Sequence, residues 1–175
     1  MVYYAFLRAV NVGPSTKVDM PLLKRHIKDT FNISVETYKN SGNIIVIDPN
    51  DKEKVLKNIE ESVKNLFKLD IAALGRDKDQ LNHSLEKNPF TGSEYEKSKT
   101  LLYIIEKEIL ADRILEFGKM KGLQEEYWYA EKILYVHYKN GIGRSKLTAA
   151  AIERVLESRV TGRNVNTIEE LVSKW

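Results

Sequence analysis

The sequence contains no cysteine and no long apolar run, and each absence excludes a class of protein. Without cysteine the chain has no disulfide framework and no thiolate for catalysis or metal binding. No segment approaches the roughly 18 consecutive apolar residues of a membrane-spanning helix. The apolar N-terminal stretch includes Arg8 and has no basic segment before it, unlike a signal peptide. These features predict a cytoplasmic protein with no membrane partner.

Histidine is scarce, and the chemistry it usually supports is missing. His26, His83 and His137 lie in separate segments, and none stands at ligand spacing from another histidine or a paired carboxylate, so no metal site is predicted. The chain also lacks a Gly-x-Ser-x-Gly elbow, a Walker loop and a complete dinucleotide-binding fingerprint. The sequence therefore predicts no cofactor and identifies no catalytic residue.

Charge is nearly balanced overall but unbalanced in one segment. The 175 residues carry a net charge of +3, which permits a nucleic-acid partner without requiring one. Between residues 132 and 152 there is no carboxylate, and a locally cationic stretch is either a solvated face or a place where an anion binds. The cations of this stretch are Lys132, Lys139, Arg144 and Lys146.

The pattern of the first half predicts the order β-α-β-β-α-β. Residues 2–9 are almost all apolar, as in a strand buried on both faces. Asp19 caps a helix that runs to about Phe31. The remaining predicted elements are a hairpin over residues 34–48 with its turn at 41–43, a helix over 51–67, and a short strand over 70–74 that ends at Gly75.

The pattern of the second half predicts the same order again. A strand over residues 100–106 precedes a helix over 110–121 closed by Gly122, and a hairpin covers 126–138. A helix over 145–156 and a short strand over 158–160 follow. Thr167 and Glu170 form a capping-box pattern that starts a final helix ending near Trp175.

The repeated order predicts an α+β protein built as a duplication of two ferredoxin-like, or split βαβ, units. The first unit is expected at residues 1–76 and the second, with the C-terminal helix, at 100–175. Residues 77–99 form a connecting helix and a turn-rich linker, with the domain boundary in the segment NPFTGSEYEKSK.

The helices of such a unit cover only one face of the sheet, which leaves the second face to be explained. In the second half the predicted helix-facing side chains are Leu102, Ile104, Leu134 and Val136. The opposite face would then carry Tyr103, Tyr135 and His137, which could form an open platform that stacks RNA bases. The alternative is that the two units pack through their sheets, which is favoured by first-half strands that are apolar on both faces.

Four polar, turn-prone segments interrupt the helix and strand patterns, and they are the candidate binding segments: LRAVNVG, NSGN, GIGRSKLT and TGRNVNT. Glycines followed by cations at a predicted helix start suit a phosphate or carboxylate, and so does the planar guanidinium of Arg163. Each segment can also be only a turn or a cap, as Ser145 and Thr167 illustrate. The candidate ligand-binding residues are Arg8, Asn11, Gly13, Arg144, Ser145, Lys146, Arg163, Asn164 and Asn166.

The strand order raises an expectation about where these segments lie. We expect Arg8–Asn11 and Ser41–Asn43 at opposite ends of the first sheet. Residues 141–146 and 161–166 are likewise expected at opposite ends of the second sheet. On that arrangement, a single site would need segments contributed by both units.

The same segments carry a family resemblance along nearly the whole chain. YYAFLRAVNVG, TYKNSGNIIV, NPF, GIGRSKLTAAAIE and TGRNVNTIEEL resemble, in that order, the signatures of domain-of-unknown-function family 1697, a bacterial family. The chain departs from the family pattern at Ala9, Val10 and Val165, and Val165 replaces an aromatic residue. The resemblance implies a duplicated ferredoxin-like architecture and no established activity.

Three functional hypotheses follow. The first is a binding protein for a phosphate-bearing ligand, either a nucleotide or RNA, in which Arg163→Ala folds normally and loses the ligand. The second is a metal-independent enzyme acting on a small anionic metabolite, with Tyr135, His137 or Lys146 transferring protons. The third is a structural or interaction protein without a small ligand. The chain is expected to be a monomer or a weak homodimer.

Overall fold

The computed structural model describes residues 2–175, which form two four-stranded antiparallel sheets and six α-helices. The protein is therefore of the α+β class, as predicted. The chain divides into two compact units, the first comprising the residues up to Leu81 together with Trp175 and the second comprising Asn82–Lys174. No helix within residues 2–175 is long and apolar enough to cross a membrane.

The first unit contains strands β1 to β4 in the spatial order β2-β3-β1-β4. Its elements are β1 (Val2–Leu7), α1 (Met20–Phe31), β2 (Val35–Tyr38), β3 (Asn43–Ile47), α2 (Lys52–Phe67) and β4 (Ala73–Asp77). The next helix, α3 (Lys78–Glu86), contains the division between Leu81 and Asn82. The helices begin where local signals predict, because Asp19 accepts a hydrogen bond from the Leu22 amide at 2.8 Å and Asp51 accepts one from Lys54 at 3.0 Å.

Strand β4 begins three residues later than predicted and continues through Gly75. The ring of Tyr3 lies directly over this glycine, and a Cβ atom at Gly75 would come within 1.8 Å of the Tyr3 hydroxyl. Gly75 is therefore an internal strand residue that makes room for an aromatic ring from β1. The sequence pattern presented it as a terminator because glycine alone does not reveal its partner.

The second unit contains strands β5 to β8 in the equivalent order β6-β7-β5-β8. Its elements are β5 (Thr100–Ile105), α4 (Ala111–Gly118), β6 (Glu126–Ala130), β7 (Ile133–His137), α5 (Ala149–Leu156), β8 (Val160–Asn164) and α6 (Val165–Lys174). Helix α4 ends at Gly118, short of the predicted end near Lys121, and Gly122 lies in the following turn with φ +80°.

The face assignment for β5 was wrong, although the assignment for β7 is confirmed. Leu101, Tyr103 and Ile105 pack with Leu134 and Val136 in the core beneath α4 and α5. All six residues of β5 are buried, so the strand lacks the polar alternation that would identify its inner face. Tyr103, Tyr135 and His137 are all buried, and the described sheet therefore does not form the open platform that was one of the two alternatives for these side chains.

The segment TGRNVNT is a strand and a helix start, which corrects the predicted turn and cap. Its first four residues lie in β8, where Gly162 faces Tyr103 and leaves room for that ring, since a Cβ atom would come within 2.8 Å of Tyr103 Cε1. Helix α6 then begins at Val165, and Asn164 accepts a hydrogen bond from the Thr167 amide at 2.9 Å. Thr167 is therefore inside the helix and does not cap it.

The two units repeat individual contacts as well as strand order. Glu60 of α2 accepts a hydrogen bond from the amide of Ala73 at the start of β4, and Glu153 of α5 accepts one from Val160 at the start of β8, both at 2.9 Å. A buried arginine follows the glycine under each tyrosine ring. Its guanidinium donates to that glycine's carbonyl, at 2.7 Å in the first unit and 2.9 Å in the second.

The units differ in the lengths of their connections. Residues 8–19 join β1 to α1, whereas only residues 106–110 join β5 to α4. Residues 138–148 join β7 to α5, whereas only residues 48–51 join β3 to α2. Most of the predicted binding residues lie in these two long connections.

Candidate functional site

The connection 138–148 forms one wall of a groove in the second unit. It turns through a short 3-10 segment at Ile142–Arg144, and α5 begins only at Ala149, where Thr148 accepts a hydrogen bond from the Ala151 amide at 3.2 Å. The predicted helix start at Ser145 is therefore wrong. Ser145 instead accepts a hydrogen bond from the Leu147 amide at 2.9 Å, which fixes the loop ahead of the helix.

The base of the groove is anchored by tyrosine hydroxyls. Tyr138 is almost fully buried and donates to the Leu147 carbonyl at 3.1 Å, while the hydroxyls of Tyr103 and Tyr138 are 2.6 Å apart. Burial raises the pKa of Tyr138, with a smaller contribution from Tyr103. Tyr138 therefore remains protonated at neutral pH and acts as a hydrogen-bond donor that holds the loop in place.

Four cations line this groove: Lys121, Lys139, Arg144 and Lys146. The groove has a volume of about 390 Å³ and is formed by residues of the α4–β6 connection and of the β7–α5 connection. Within residues 2–175, none of the four cations makes an ion pair with a carboxylate. The four cations therefore have no contact ion-pair partner within the described residues.

One carboxylate, Glu125, shares the groove with these cations. It accepts a hydrogen bond from the Ser145 hydroxyl and another, at 3.1 Å, from the Gln124 amide. Ser145 thus bonds to the opposite wall as well as to its own loop. The hydrogen bond between Ser145 and Glu125 joins the two connections across the groove.

Two of the three predicted residues of the first unit line a separate, shallower cavity. Asn11 and Gly13 line it together with Lys17 and Asp19, so its charged side chains balance. The Asn11 amide nitrogen donates to the carbonyls of Val18 at 3.1 Å and Asn40 at 2.6 Å, and its oxygen accepts from the Val18 amide at 2.9 Å. These contacts give Asn11 a structural role, and its ligand-binding role stays a prediction.

Arg8 and the turn NSGN lie beside Asn11. The Arg8 amide donates to the Ala72 carbonyl at 3.0 Å, and the half-buried Arg8 side chain is not among the residues that line the cavity. Gly42 has φ +77°, and a Cβ atom there would lie 2.6 Å from Val10 Cγ2. The loop after β1 therefore packs on a turn that requires glycine.

Arg163 is buried in the second unit and does not line the groove. Its guanidinium donates to the Thr161 hydroxyl and to the Gly162 carbonyl, each at 2.9 Å. Burial lowers the pKa of Arg163 to about 10, so the side chain is still charged at neutral pH. Asn164 caps α6, and Asn166 lies in the first turn of that helix. Ligand contacts by these three residues remain untested predictions.

The expected opposition of the segments at the ends of each sheet was wrong. Strand β1 runs antiparallel to β3, and the Leu7 amide donates to the Gly42 carbonyl at 2.8 Å, so the end of β1 and the hairpin turn share one end of the sheet. Strands β7 and β8 both run antiparallel to β5, so both finish at the end of the sheet where β5 begins. A site within a single unit is therefore possible.

Of the nine predicted residues, the groove brings together Arg144, Ser145 and Lys146. The sequence pattern already marked Lys139 through the cationic stretch that contains it. Sequence reasoning missed Lys121 and Glu125, because they come from the connection before β6 and no local pattern links them to residues 141–146. Only the antiparallel pairing of β6 with β7 brings that connection close to the later one.

Comparisons with known proteins agree with the fold and add no activity. The solved structure of the conserved bacterial protein SP0830 from Streptococcus pneumoniae is similar to this chain, with a TM-score of 0.72 and 17% sequence identity. The alignment covers 98% of this chain and 97% of that one, and at this identity it shows the fold alone. No curated protein matches the chain. A family profile matches residues 1–135, and the chain therefore belongs to the family described as "Protein of unknown function (DUF1697)".

Proposed function

We propose that the protein binds a phosphate-bearing anionic ligand, a nucleotide or RNA, in the groove of the second unit. The observation that carries the proposal is the set of four groove cations without an ion-pair partner in the described chain. The groove volume of about 390 Å³ lies in the range of small-molecule sites. Phosphates are the ligands that clusters of lysine and arginine bind most readily.

Electrostatics favours an anion at this position. Like charges that converge on a concave surface raise the local potential and concentrate anions there. Because Lys121, Lys139 and Lys146 are exposed, their mutual repulsion is partly screened by salt, and a bound anion would relieve the remainder. The attraction should therefore weaken steeply as ionic strength rises.

The positions of the candidate proton-transfer groups favour a binding function over a catalytic one. Tyr135 and His137 are buried, and neither lines the groove. Burial raises the pKa of Tyr135 and lowers the pKa of His137, which disfavours the charged form of each side chain. Of the three candidates, Lys146 alone lies in the groove.

We also infer that the two units arose by duplication of one ferredoxin-like unit. The support is the matching strand order, the matching glutamates at the starts of β4 and β8, and the matching Gly75–Arg76 and Gly162–Arg163 pairs. A cytoplasmic location and packing of the units through their sheets stay predictions.

The proposal is tested by binding at matched ionic strength. Isothermal titration of ATP, a short RNA and sulfate is compared for the wild type and for the double variant Arg144→Ala/Lys146→Ala. Each lost charge-assisted contact is worth about 1.5–3 kcal/mol, so we expect the loss of two contacts to lower the affinity by roughly a hundredfold or more. The double variant Lys57→Ala/Lys64→Ala is the matched control, since both residues are exposed lysines on α2 in the first unit.

Two results would contradict the proposal. One is that none of the three ligands binds at low salt. The other is an affinity that falls as much in Lys57→Ala/Lys64→Ala as in Arg144→Ala/Lys146→Ala, because binding would then depend on the net charge of the protein and on no specific groove. Unfolding midpoints of all variants are measured alongside, and exposed substitutions of this kind should change stability by about 0.5 kcal/mol or less.

A further inference from the structure

Glu125 is an unusual member of an otherwise cationic groove. It is the one carboxylate among the described groove-lining residues, yet it makes no ion pair with any of the four cations. Its oxygens instead accept hydrogen bonds from a hydroxyl, that of Ser145, and from the backbone amide of Gln124. The carboxylate is therefore held as a hydrogen-bond acceptor, and it reduces the positive charge of the groove without contacting any one of the four cations.

The acceptor capacity of Glu125 is only partly used. An ionised carboxylate offers about four lone-pair positions and donates nothing, and the described contacts of Glu125 occupy two of them. A phosphate placed against this carboxylate would be repelled, whereas a neutral hydroxyl could donate to it. An ammonium group could also donate, but the four neighbouring cations would repel it.

We propose that the groove recognises a phosphate ester that carries neighbouring hydroxyls, as on a ribose. The cations hold the phosphates, and Glu125 accepts hydrogen bonds from the sugar hydroxyls. In dinucleotide-binding folds a carboxylate accepts hydrogen bonds from ribose hydroxyls in this way, and backbone amides bind the phosphates separately. This inference rests on the proposed function, and it assigns Glu125 as the residue that determines specificity.

These two roles, phosphate binding by the cations and hydroxyl recognition by Glu125, explain why the groove contains both signs of charge. A site for inorganic phosphate or for polyphosphate alone would gain affinity by losing Glu125, since the carboxylate opposes every anion that enters. Retaining a carboxylate makes chemical sense where part of the ligand is a neutral donor. Ser145 shows that a hydroxyl fits this acceptor, because its own hydroxyl donates to it across the groove.

The test compares three ligands that differ in their hydroxyls. Tripolyphosphate, ATP and 2′,3′-dideoxy-ATP are titrated into the wild type and into Glu125→Gln at matched ionic strength. Hydrogen bonds to a charged group contribute about 1.5–3 kcal/mol, so we expect the wild type to prefer ATP over dideoxy-ATP by roughly tenfold. In Glu125→Gln this preference should largely disappear, while tripolyphosphate should bind more tightly.

A control variant separates recognition from net charge. Glu61 is an exposed carboxylate on α2 in the first unit. Glu61→Gln changes the charge by the same amount and should leave the preference for ATP over dideoxy-ATP intact. The amide oxygen introduced by Glu125→Gln can still accept from the Ser145 hydroxyl, whereas the hydrogen bond from the Gln124 amide is lost, so we expect this variant to lose only about 1 kcal/mol of stability or less.

A pair of RNA ligands distinguishes a free nucleotide from an RNA end. A short RNA with a free 3′-terminal diol is compared with the same RNA carrying a 3′-phosphate. Tighter binding of the free end, lost in Glu125→Gln, supports the inference with an RNA end as its source. A preference seen with ATP and not with the RNA pair supports it with a free nucleotide as its source.

The inference and the proposed function fail in different ways. Equal binding of ATP and dideoxy-ATP by the wild type, with no preference for the free RNA end, overturns the role of Glu125 and leaves the anion groove standing. Absence of binding by tripolyphosphate and by every nucleotide overturns the groove itself, and the inference with it.

Discussion

The two units share one frame of strands and differ in the connection that each has lengthened. In the first unit the long connection follows β1, and Asn11 fastens it to the neighbouring turn and to Val18. In the second unit the long connection follows β7 and carries Arg144 and Lys146 into a groove. The shared frame is thus structural, and the binding site that we propose lies in the segment by which the second unit departs from the first.

The Gly-Arg pair is present in both units, which indicates a structural role for it. Arg76 and Arg163 are both buried, and each donates to the carbonyl of the preceding glycine. A motif that recurs in a unit without the cationic groove is more readily explained by packing than by binding. We therefore expect the Gly162–Arg163 pair of TGRNVNT to serve packing, and the ligand-binding role of the segment stays a prediction.

The largest expected effect tests that shared device. Arg163→Ala removes the donors to the Thr161 hydroxyl and the Gly162 carbonyl inside the second unit. We expect a loss of about 2–3 kcal/mol in the free energy of unfolding, which lowers Tm by roughly 5–10 °C for a chain of this size. Arg76→Ala should cost a similar amount, and calorimetric unfolding measures both.

Arg144→Ala serves as the control for this pair, because Arg144 is exposed and has no ion-pair partner in the described chain. Its Tm should stay near that of the wild type. If Arg163→Ala keeps the wild-type Tm and loses ATP binding, the sequence-based prediction for Arg163 is restored and the comparison between the units breaks down.

A smaller effect is expected from the two long connections. Asn11→Ala removes three side-chain hydrogen bonds and places alanine at φ +56°, a conformation that asparagine tolerates better. We expect a cost of about 1–2 kcal/mol. Ser145→Ala removes the acceptor for the Leu147 amide and the donor to Glu125, at a cost of about 0.5–1.5 kcal/mol.

Urea unfolding of the two variants compares how much each side chain contributes to the free energy of unfolding. Glu61→Gln, on an exposed helix face, provides the baseline for a neutral surface change. A larger loss for Ser145→Ala than for Asn11→Ala would contradict the expected order and show that Ser145 stabilises its loop more than Asn11 does.

The smallest effect is a pH dependence confined to the second unit. His137 is buried, accepts or donates one hydrogen bond with the Thr100 hydroxyl at 2.9 Å, and contacts the rings of Phe90 and Tyr95. Burial lowers its pKa from the ordinary value of 6.5. Among its charged neighbours, Glu126 and Glu96 oppose this shift, and Lys99 and Lys139 reinforce it.

The sign of the effect follows from proton linkage. Below about pH 6.5 the unfolded chain takes up a proton at position 137 before the folded chain does, so the stability contributed by neutral His137 is present above that pH and is lost as the pH falls. Urea unfolding between pH 5 and 7 measures the slope. His137→Gln should flatten it, and an unchanged slope in that variant would assign the effect to other groups.

Local signals in the sequence predicted the helix starts in the first unit, where Asp19 and Asp51 act on the adjacent turn. They failed wherever a distant residue decides the outcome. Gly75 and Gly162 lie inside strands because the rings of Tyr3 and Tyr103 occupy the space above them. Both partners are more than fifty residues away, and no periodicity in the local segment indicates them.

The candidate site was predicted in part for the same reason. Arg144, Ser145 and Lys146 are neighbours in sequence and were identified together. Lys121 and Glu125 complete the groove from another connection, and only the hairpin of β6 and β7 makes them neighbours in space. The composition of a loop reveals its cations, but it does not reveal the opposite wall.

The buried tyrosine pair beneath the groove has a consequence for the thermodynamics of any ligand. The hydroxyl of Tyr138 already ties the loop to the Leu147 carbonyl and, through Tyr103, to the centre of the sheet. A wall fixed in this way loses little conformational entropy when it is occupied, so more of the contact energy remains as affinity. Backbone amides of the loop should then exchange slowly with solvent before any ligand is added, and binding should slow them only a little further.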